Sequence, residues 1–171
     1  FGYLLDTAVQ VPDMVVDSVV HIGYLHRSIE KIAEKRTYTQ FIPFTDRLDY
    51  LASMNNNLAY VLAAEKLMGI EANDRAKHIR VIMAEFNRIA SHLFGVTTFT
   101  QDLGAFATPL FYGMREREKI VEFFDSVCGQ RLTYNYMRIG GVSRDLPAGS
   151  EDKIKKIVAY LRPKFDDLEA M

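Results

Sequence analysis

The stretch Arg47-Leu48-Asp49-Tyr50-Leu51-Ala52 decides how this chain is read. It follows Arg36-Thr37-Tyr38-Thr39-Gln40-Phe41-Ile42-Pro43-Phe44-Thr45-Asp46 and leads into Leu58-Ala59-Tyr60 and Ala63-Ala64-Glu65-Lys66-Leu67. Pro43 marks an irregular loop, because proline removes a backbone donor and clashes with the preceding turn of a helix. From Asp46 or Arg47 a helix is expected to run to Met68, with Gly69 as its stop. Its Leu51, Met54, Leu58, Val61, Leu62, Glu65 and Leu67 leave few polar faces, so it is expected to be buried.

Working outward, Gly2 to Gln10 and Met14 to Ile22 are rich in Val, Leu and Tyr. Val11-Pro12-Asp13 between them is a turn signal, which predicts a β-hairpin. Leu25, Ile29, Ile32 and Ala33 recur at helical spacing from about Tyr24 to Lys35. Asn73-Asp74 predicts the N-cap of a helix from about Arg75 to Phe94, striped by Ile79, Ile82, Met83, Phe86, Ile89, Ala90 and Leu93. Gly95 is expected to interrupt it, with Thr97-Thr98-Phe99-Thr100 as an imperfect continuation. Gly104 and Pro109 bracket a loop, and a helix follows from about Leu110 to Cys128, stopped by Gly129. Arg131 to Met137 alternates as a strand or extended segment. Gly140-Gly141 and Pro147 form a loop, and Ser150 with Glu151 and Asp152 opens a last helix reaching Met171. The predicted class is mainly α (α+β): an N-terminal hairpin over about 2–22, then a bundle of long helices over about 24–171. No internal repeat or low-complexity segment is visible.

The bulk numbers exclude several classes. With 171 residues, 49% hydrophobic and 25% charged, the chain can bury one core. A net charge of −1 gives no basic footprint for nucleic acid. A single cysteine, Cys128, rules out an internal disulfide and any paired-cysteine metal site within the chain. No apolar run approaches about 18 residues, so no segment reads as a membrane span. The chain opens in mid-pattern at Phe1-Gly2-Tyr3 and stops inside an amphipathic run at Met171. It therefore reads as a piece truncated at both ends.

The Arg47–Ala52 frame resembles the large subunit of nickel–iron hydrogenases, where Arg-x-Cys-Gly-x-Cys precedes a similar helix. Asp49 and Ala52 stand at the two ligand positions. Soft thiolates hold nickel and iron in such a site, and Ala52 ligates nothing. The frame is thus similar to the hydrogenase relative without that metal, the quinone-site subunit family of respiratory complex I (NADH:quinone oxidoreductase). His21-Ile22-Gly23-Tyr24-Leu25-His26-Arg27 resembles that family's opening signature. Ile79-Arg80-Val81-Ile82-Met83-Ala84-Glu85 and Arg88-Ile89-Ala90-Ser91-His92-Leu93 resemble its central helix. Asp102-Leu103-Gly104-Ala105, Arg115-Glu116-Arg117-Glu118 and Ile139-Gly140-Gly141-Val142-Ser143-Arg144-Asp145-Leu146-Pro147 follow in the family's order. The whole chain, residues 1–171, then corresponds to the N-terminal half of such a subunit.

The resemblance implies a quinone-binding oxidoreductase subunit that is not active alone. It would form a narrow chamber with an iron–sulfur subunit carrying the terminal 4Fe–4S cluster. Electrons from NADH, bound elsewhere in the complex, would reduce quinone and drive ion translocation through a membrane arm. The chain itself would hold no metal. Its place would be peripheral, on the cytoplasmic face of the cell membrane or the matrix face in mitochondria. The alternatives are a nickel–iron hydrogenase-related large subunit, and a structural subunit of a related membrane complex fed by ferredoxin or F420.

Five residues carry these implications. Tyr50 matches the tyrosine that hydrogen-bonds a quinone carbonyl, where a phenol donor meets developing charge. A core tyrosine at a helix start is the plainer reading, and the helix period predicts a mostly buried ring. Asp102 matches the acid paired with a histidine on a hairpin turn, at or just before Phe1. Read locally, an Asp before Gly is a helix N-cap or a solvated loop residue. Arg27 and Arg47 match arginines near the cluster, where a cation stabilises the reduced form. Their plainer readings are ion pairs, Arg27 with Glu30 or Glu34, and Arg47 with Asp46, Asp49 or Glu65. Thr133 stands where many members carry a histidine that couples cluster reduction to protonation. Threonine does not titrate near neutrality, which reads either as adaptation to a low-potential quinone such as menaquinone or as neutral drift.

Other features read blandly. His21 and His26 make a poor metal pair. His78 is expected on a solvated turn and His92 in the core, and Arg115-Glu116-Arg117-Glu118 reads as an interface or surface ion-pair face.

Overall fold

The computed structural model describes residues 3–6, 10–11, 14–15 and 19–170. It divides into two units, Phe1–Arg36 and Thr37–Met171. The first holds strands β1 (Tyr3–Asp6), β2 (Gln10–Val11), β3 (Met14–Val15) and β4 (Val19–Ile22). Strand β1 pairs antiparallel with β4, and β2 with β3, in one common register (Tyr3 opposite Ile22, Gln10 opposite Val15). This is the expected hairpin. Pro12 and Asp13 of its predicted turn lie outside the described residues. Helix α1 covers only Ile29–Ala33, not Tyr24 to Lys35 as the spacing predicts. Tyr24, Arg27 and Ser28 have φ of 64°, 52° and 56°. Left-handed residues cost an L side chain about 1–2 kcal/mol each and cannot join a right-handed helix.

The second unit is helical. Helix α2 (Tyr38–Thr45) forms where the loop around Pro43 is expected. A capping box starts it: Gln40 N–H donates to the Thr37 hydroxyl at 3.4 Å, and Thr37 N–H to the Gln40 side chain at 3.3 Å. Its ring contacts, Phe41 with Phe44 and Tyr60, and the burial of Ile42 offset the proline. Helix α3 (Ser53–Met68) starts several residues later than predicted and ends at Gly69, with φ of 66°. It buries one face, Met54, Asn57, Val61, Ala64 and Glu65, while Leu62 and Leu67 are exposed. Its apolar pattern thus overstates its burial.

Helix α4 (Asp74–Asp102) is continuous through Gly95. A helical glycine costs only about 1 kcal/mol against alanine, too little to stop a capped and buried helix. Asn73 accepts the cap bond from Ala76 N–H at 2.8 Å. Helix α5 (Thr108–Cys128) packs along α4 and ends at left-handed Gly129. Gly113 makes that crossing close: a β-carbon there would lie 2.6 Å from the Leu93 carbonyl oxygen and from Thr97. Strands β5 (Met137–Arg138) and β6 (Gly141–Val142) form a tight pair, shorter than the predicted strand, and α6 (Ser150–Glu169) packs on α5. The core gathers Met54, Val61, Met83, Phe86, Ile120, Phe123, Phe124, Tyr134, Tyr136, Met137 and Leu161.

One polar joint runs through this core. Arg80 of α4 grips Glu65 of α3 with two bonds, 3.0 and 2.5 Å. The same guanidinium donates to the carbonyls of Arg138 (2.7 Å) and Gly141 (3.1 and 2.9 Å), and Gly140 N–H donates to Glu65 at 2.7 Å. The charges are buried, but every arm of the pair is matched, which such a pair requires. The guanidinium holds the Glu65 carboxyl below its ordinary range.

Candidate functional site

The site begins at the Arg47–Ala52 segment, which is a turn and not the first turn of α3. Short-range and distant bonds shape it. The Asp49 side chain accepts from Leu51 N–H at 3.1 Å, and Asn56 donates to the Asp49 carbonyl at 3.0 Å. Asn87 reaches across from α4, donating to the Leu51 carbonyl at 3.2 Å and accepting Met54 N–H at 3.0 Å. Ser53 donates to the Leu132 carbonyl at 2.8 Å. An Asx turn locked from behind in this way leaves its tip facing outward.

Tyr50 stands at that tip, 52% exposed, so the expectation of a mostly buried ring is overturned. The cause is the turn: the helical period that would have aimed Tyr50 inward starts only at Ser53. Arg47 leaves the other side of the turn. It donates to the Pro43 carbonyl and lies 3.9 Å from Asp46. Asp46 is one of the three acids expected near it.

Arg47 and Thr133 line one polar cleft of about 340 Å³, with Gln130, Arg138, Ser143 and Arg144. Its floor includes Cys128, whose thiol burial pushes up to about 12, so it stays protonated and inert. Asp46, 3.9 Å from the Arg47 of this cleft, is fully buried at 0% exposure. Burial pushes its carboxyl up to about 6, against the pull of Arg47, the Asn135 N–H, Asn57 and Arg138. Sequence reasoning treats Asp46 only as an ion-pair partner. Its partners Asn57 and Asn135, and the Cys128 and Tyr134 side chains that feel its charge, lie further along the chain. Arg138 and Arg144 are also missed by the sequence, although the alternation around Met137 is a usable signal for Arg138.

Asp102 is elsewhere. It is the exposed last residue of α4, so it is not an N-cap. It sits at the negative end of the helix dipole, an unfavourable place for a carboxylate. Asn87, which holds the Tyr50 turn, lies fifteen residues earlier on the same helix, about 22 Å along its axis. Asp102 and Tyr50 are therefore not brought into contact. Around Asp102, Val96, Phe99, Leu103 and Phe106 are exposed. An apolar cavity of about 310 Å³ opens beside them, lined by His92, Thr100, Pro109 and Phe165. His92 is exposed and not a core residue.

Arg27 lies in the first unit, its Nε donating to the Leu25 carbonyl at 3.1 Å. Nearby, Glu30 lies 3.5 Å from His26, and Glu34 pairs with Lys31 at 2.5 Å. His78 is on α4, its Nδ1 2.7 Å from the Asp74 carbonyl. Glu116 is buried and bonded by Arg115 at 2.6 Å, so that run is not merely a surface face. Among the described residues no three His, Cys, Asp or Glu side chains gather to hold a metal, and no helix is long and apolar enough to cross a membrane.

Comparisons with known proteins add to this geometry. Residues 102–171 match the family described as respiratory-chain NADH dehydrogenase, 49 Kd subunit. A NADH-quinone oxidoreductase subunit of Dehalococcoides mccartyi is 56% identical over 159 residues, 93% of this chain and 43% of the relative. The protein of the same name from Citrifermentans bemidjiense is 51% identical over 169 residues, 98% of this chain and 43% of the relative. That from Clostridium beijerinckii is 53% identical over 148 residues, 86% of this chain and 40% of the relative. The chain thus spans about 43% of the length of the first two.

Proposed function

Because the chain belongs to the family of the 49 Kd subunit of respiratory-chain NADH dehydrogenase, we propose that it forms one wall of a quinone chamber in a respiratory NADH:quinone oxidoreductase. An iron–sulfur subunit closes the chamber and carries a 4Fe–4S cluster. Such a cluster, when present in the partner, would deliver the electrons that NADH provides elsewhere in the complex. Quinone reduction drives ion translocation in a membrane arm, and the chain sits peripherally on the cytoplasmic or matrix face.

The observation that carries this reading is the locked turn. It offers a phenol at its tip, Tyr50, and an arginine at its flank, Arg47, beside a cleft that also holds Arg138, Arg144 and Thr133. Cationic walls suit a thiolate-ligated cluster, which is anionic. Tyr50 donates to a quinone carbonyl as charge develops on it. Arg47 favours the reduced cluster, and the family resemblance assigns Arg27 the same part. Asp102, in its apolar surroundings, holds a proton-carrying histidine of the chamber. Ala52 leaves a nickel–iron site short of a ligand.

The test is Tyr50→Phe in the assembled complex. Loss of one hydrogen bond to a charged group costs about 1.5–3 kcal/mol, so quinone reduction is expected to fall roughly tenfold to a hundredfold, with cluster content unchanged by electron paramagnetic resonance. Unaltered quinone kinetics would sink the donor role.

A further inference from the structure

Tyr50 is half-exposed at the tip of its turn, so the turn's backbone sets where its hydroxyl is presented. Both backbone groups of the next residue are held. Leu51 N–H donates to the Asp49 side chain at 3.1 Å, and the Leu51 carbonyl accepts from Asn87 at 3.2 Å. The first bond lies within the turn and moves with it. The second comes from α4, 36 residues further along the chain. The same Asn87 side chain accepts Met54 N–H at 3.0 Å. That N–H is in the first turn of α3, where backbone donors have no partner inside the helix. Ala52, at the N-cap position, offers no side-chain cap. One planar amide therefore caps α3 from outside and clamps the residue beside Tyr50.

The chemistry and placement of Asn87 suit this work. It is 1% exposed, so bulk water does not stand in for it. Met83, Phe86 and Ala90, its neighbours on α4, belong to the buried core, so the amide is carried on a rigid element. Its oxygen meets a donor and its nitrogen meets an acceptor, a combination that a carboxylate or an apolar side chain does not supply.

We propose that Asn87 is a positioning residue for quinone reduction: by holding the Leu51 carbonyl and the Met54 N–H, it fixes where Tyr50 presents its hydroxyl. This rests on the reading of Tyr50 as the donor to quinone. Asn87 acts through the backbone of the turn and not on the substrate. A donor moved by about 1 Å loses its alignment with the carbonyl it serves, and an error of that size costs up to about a hundredfold in rate.

The experiment is a double-mutant cycle in the full-length, assembled complex, supplied with NADH and a short-chain quinone, reading kcat/KM for the quinone. Asn87→Ala lowers it about tenfold or more while Tyr50 is in place. In the Tyr50→Phe background the same substitution changes it less than about twofold, because no hydroxyl is left to misplace. Cluster content by electron paramagnetic resonance is unchanged in all four proteins. A merely structural role would give the same fold loss in both backgrounds. If Asn87→Ala assembles poorly, Asn87→Asp, which still accepts Met54 N–H and so still caps α3, goes through the same cycle with the same expectation. Equal losses in both backgrounds, or no loss while Tyr50 is in place, overturn the proposal. The Tyr50→Phe arm separates the two ideas. If that change alone leaves quinone kinetics unaltered, the donor role falls and the part of Asn87 falls with it. If it lowers them and the change at Asn87 adds its full loss on top, only the positioning role falls.

Discussion

Replacing Asp46 by Asn tests the buried carboxyl through stability alone, without any partner. The side chains are nearly the same size, so the change removes a titrating proton and little else. The folded chain holds the Asp46 proton up to about pH 6, against an ordinary value of 3.8. The sign follows. Between those two values the folded state binds more protons than the unfolded one, so stability falls as pH rises through the window and stays lowered above it. A rise of about two units is worth about 3 kcal/mol at 1.36 kcal/mol per unit. Asp46→Asn removes this penalty. Relative to the parent it should gain nothing near pH 4 and about 3 kcal/mol near pH 8. Urea denaturation of both proteins at several pH values measures the difference. With a slope of about 2 kcal/mol per M, the midpoint gap should open to about 1.5 M at the alkaline end. A gap that is the same at acid and alkaline pH would refute the argument, as would one that favours Asp there.

Gly113→Ala should destabilise by about 1–3 kcal/mol in urea melts, because the Leu93 carbonyl is backbone and cannot move aside. Arg80→Met strands the Glu65 carboxylate and should cost about 3–5 kcal/mol, a loss that lessens as acid protonates Glu65; adding Glu65→Gln should recover part of it. Asn87→Ala should cost about 1–3 kcal/mol and raise the tryptic sensitivity of the Arg47 turn, since both its bonds hold that turn in place. Thr133→His in the assembled complex should raise the cluster midpoint and add its own pH slope; an unchanged midpoint would remove position 133 from the cluster's surroundings.

The long elements are legible because their signals are local. Asn73 caps α4, its apolar stripe runs to Leu93, and Gly129 stops α5, all within short windows. Helix α2 escapes a reading that weighs Pro43 above the Thr37–Gln40 capping box, a signal equally present in the sequence. The start of α3 has no such local mark. Asn87, 36 residues after Leu51, is what converts that stretch into a turn and exposes Tyr50. The cleft shows the same limit. Resemblance, not spacing, singles out Arg47 and Thr133, and Asp46 becomes distinctive only once the fold buries it and brings Asn57 and Asn135 beside it.

The joint between Glu65 and Arg80 also makes a built-in reporter. The amide of Gly140 donates to the same carboxylate that Arg80 grips, not to a strand neighbour. That hydrogen can exchange with deuterium only when the carboxylate lets go, and letting go strands a buried guanidinium on two carbonyls. The Gly140 amide, at an exposed position, should therefore exchange as slowly as the slowest amides of α4, while its neighbours exchange quickly. The tip of a surface hairpin then reads out the opening of the whole helical unit, and the arginine wall of the cleft is as durable as the core behind it.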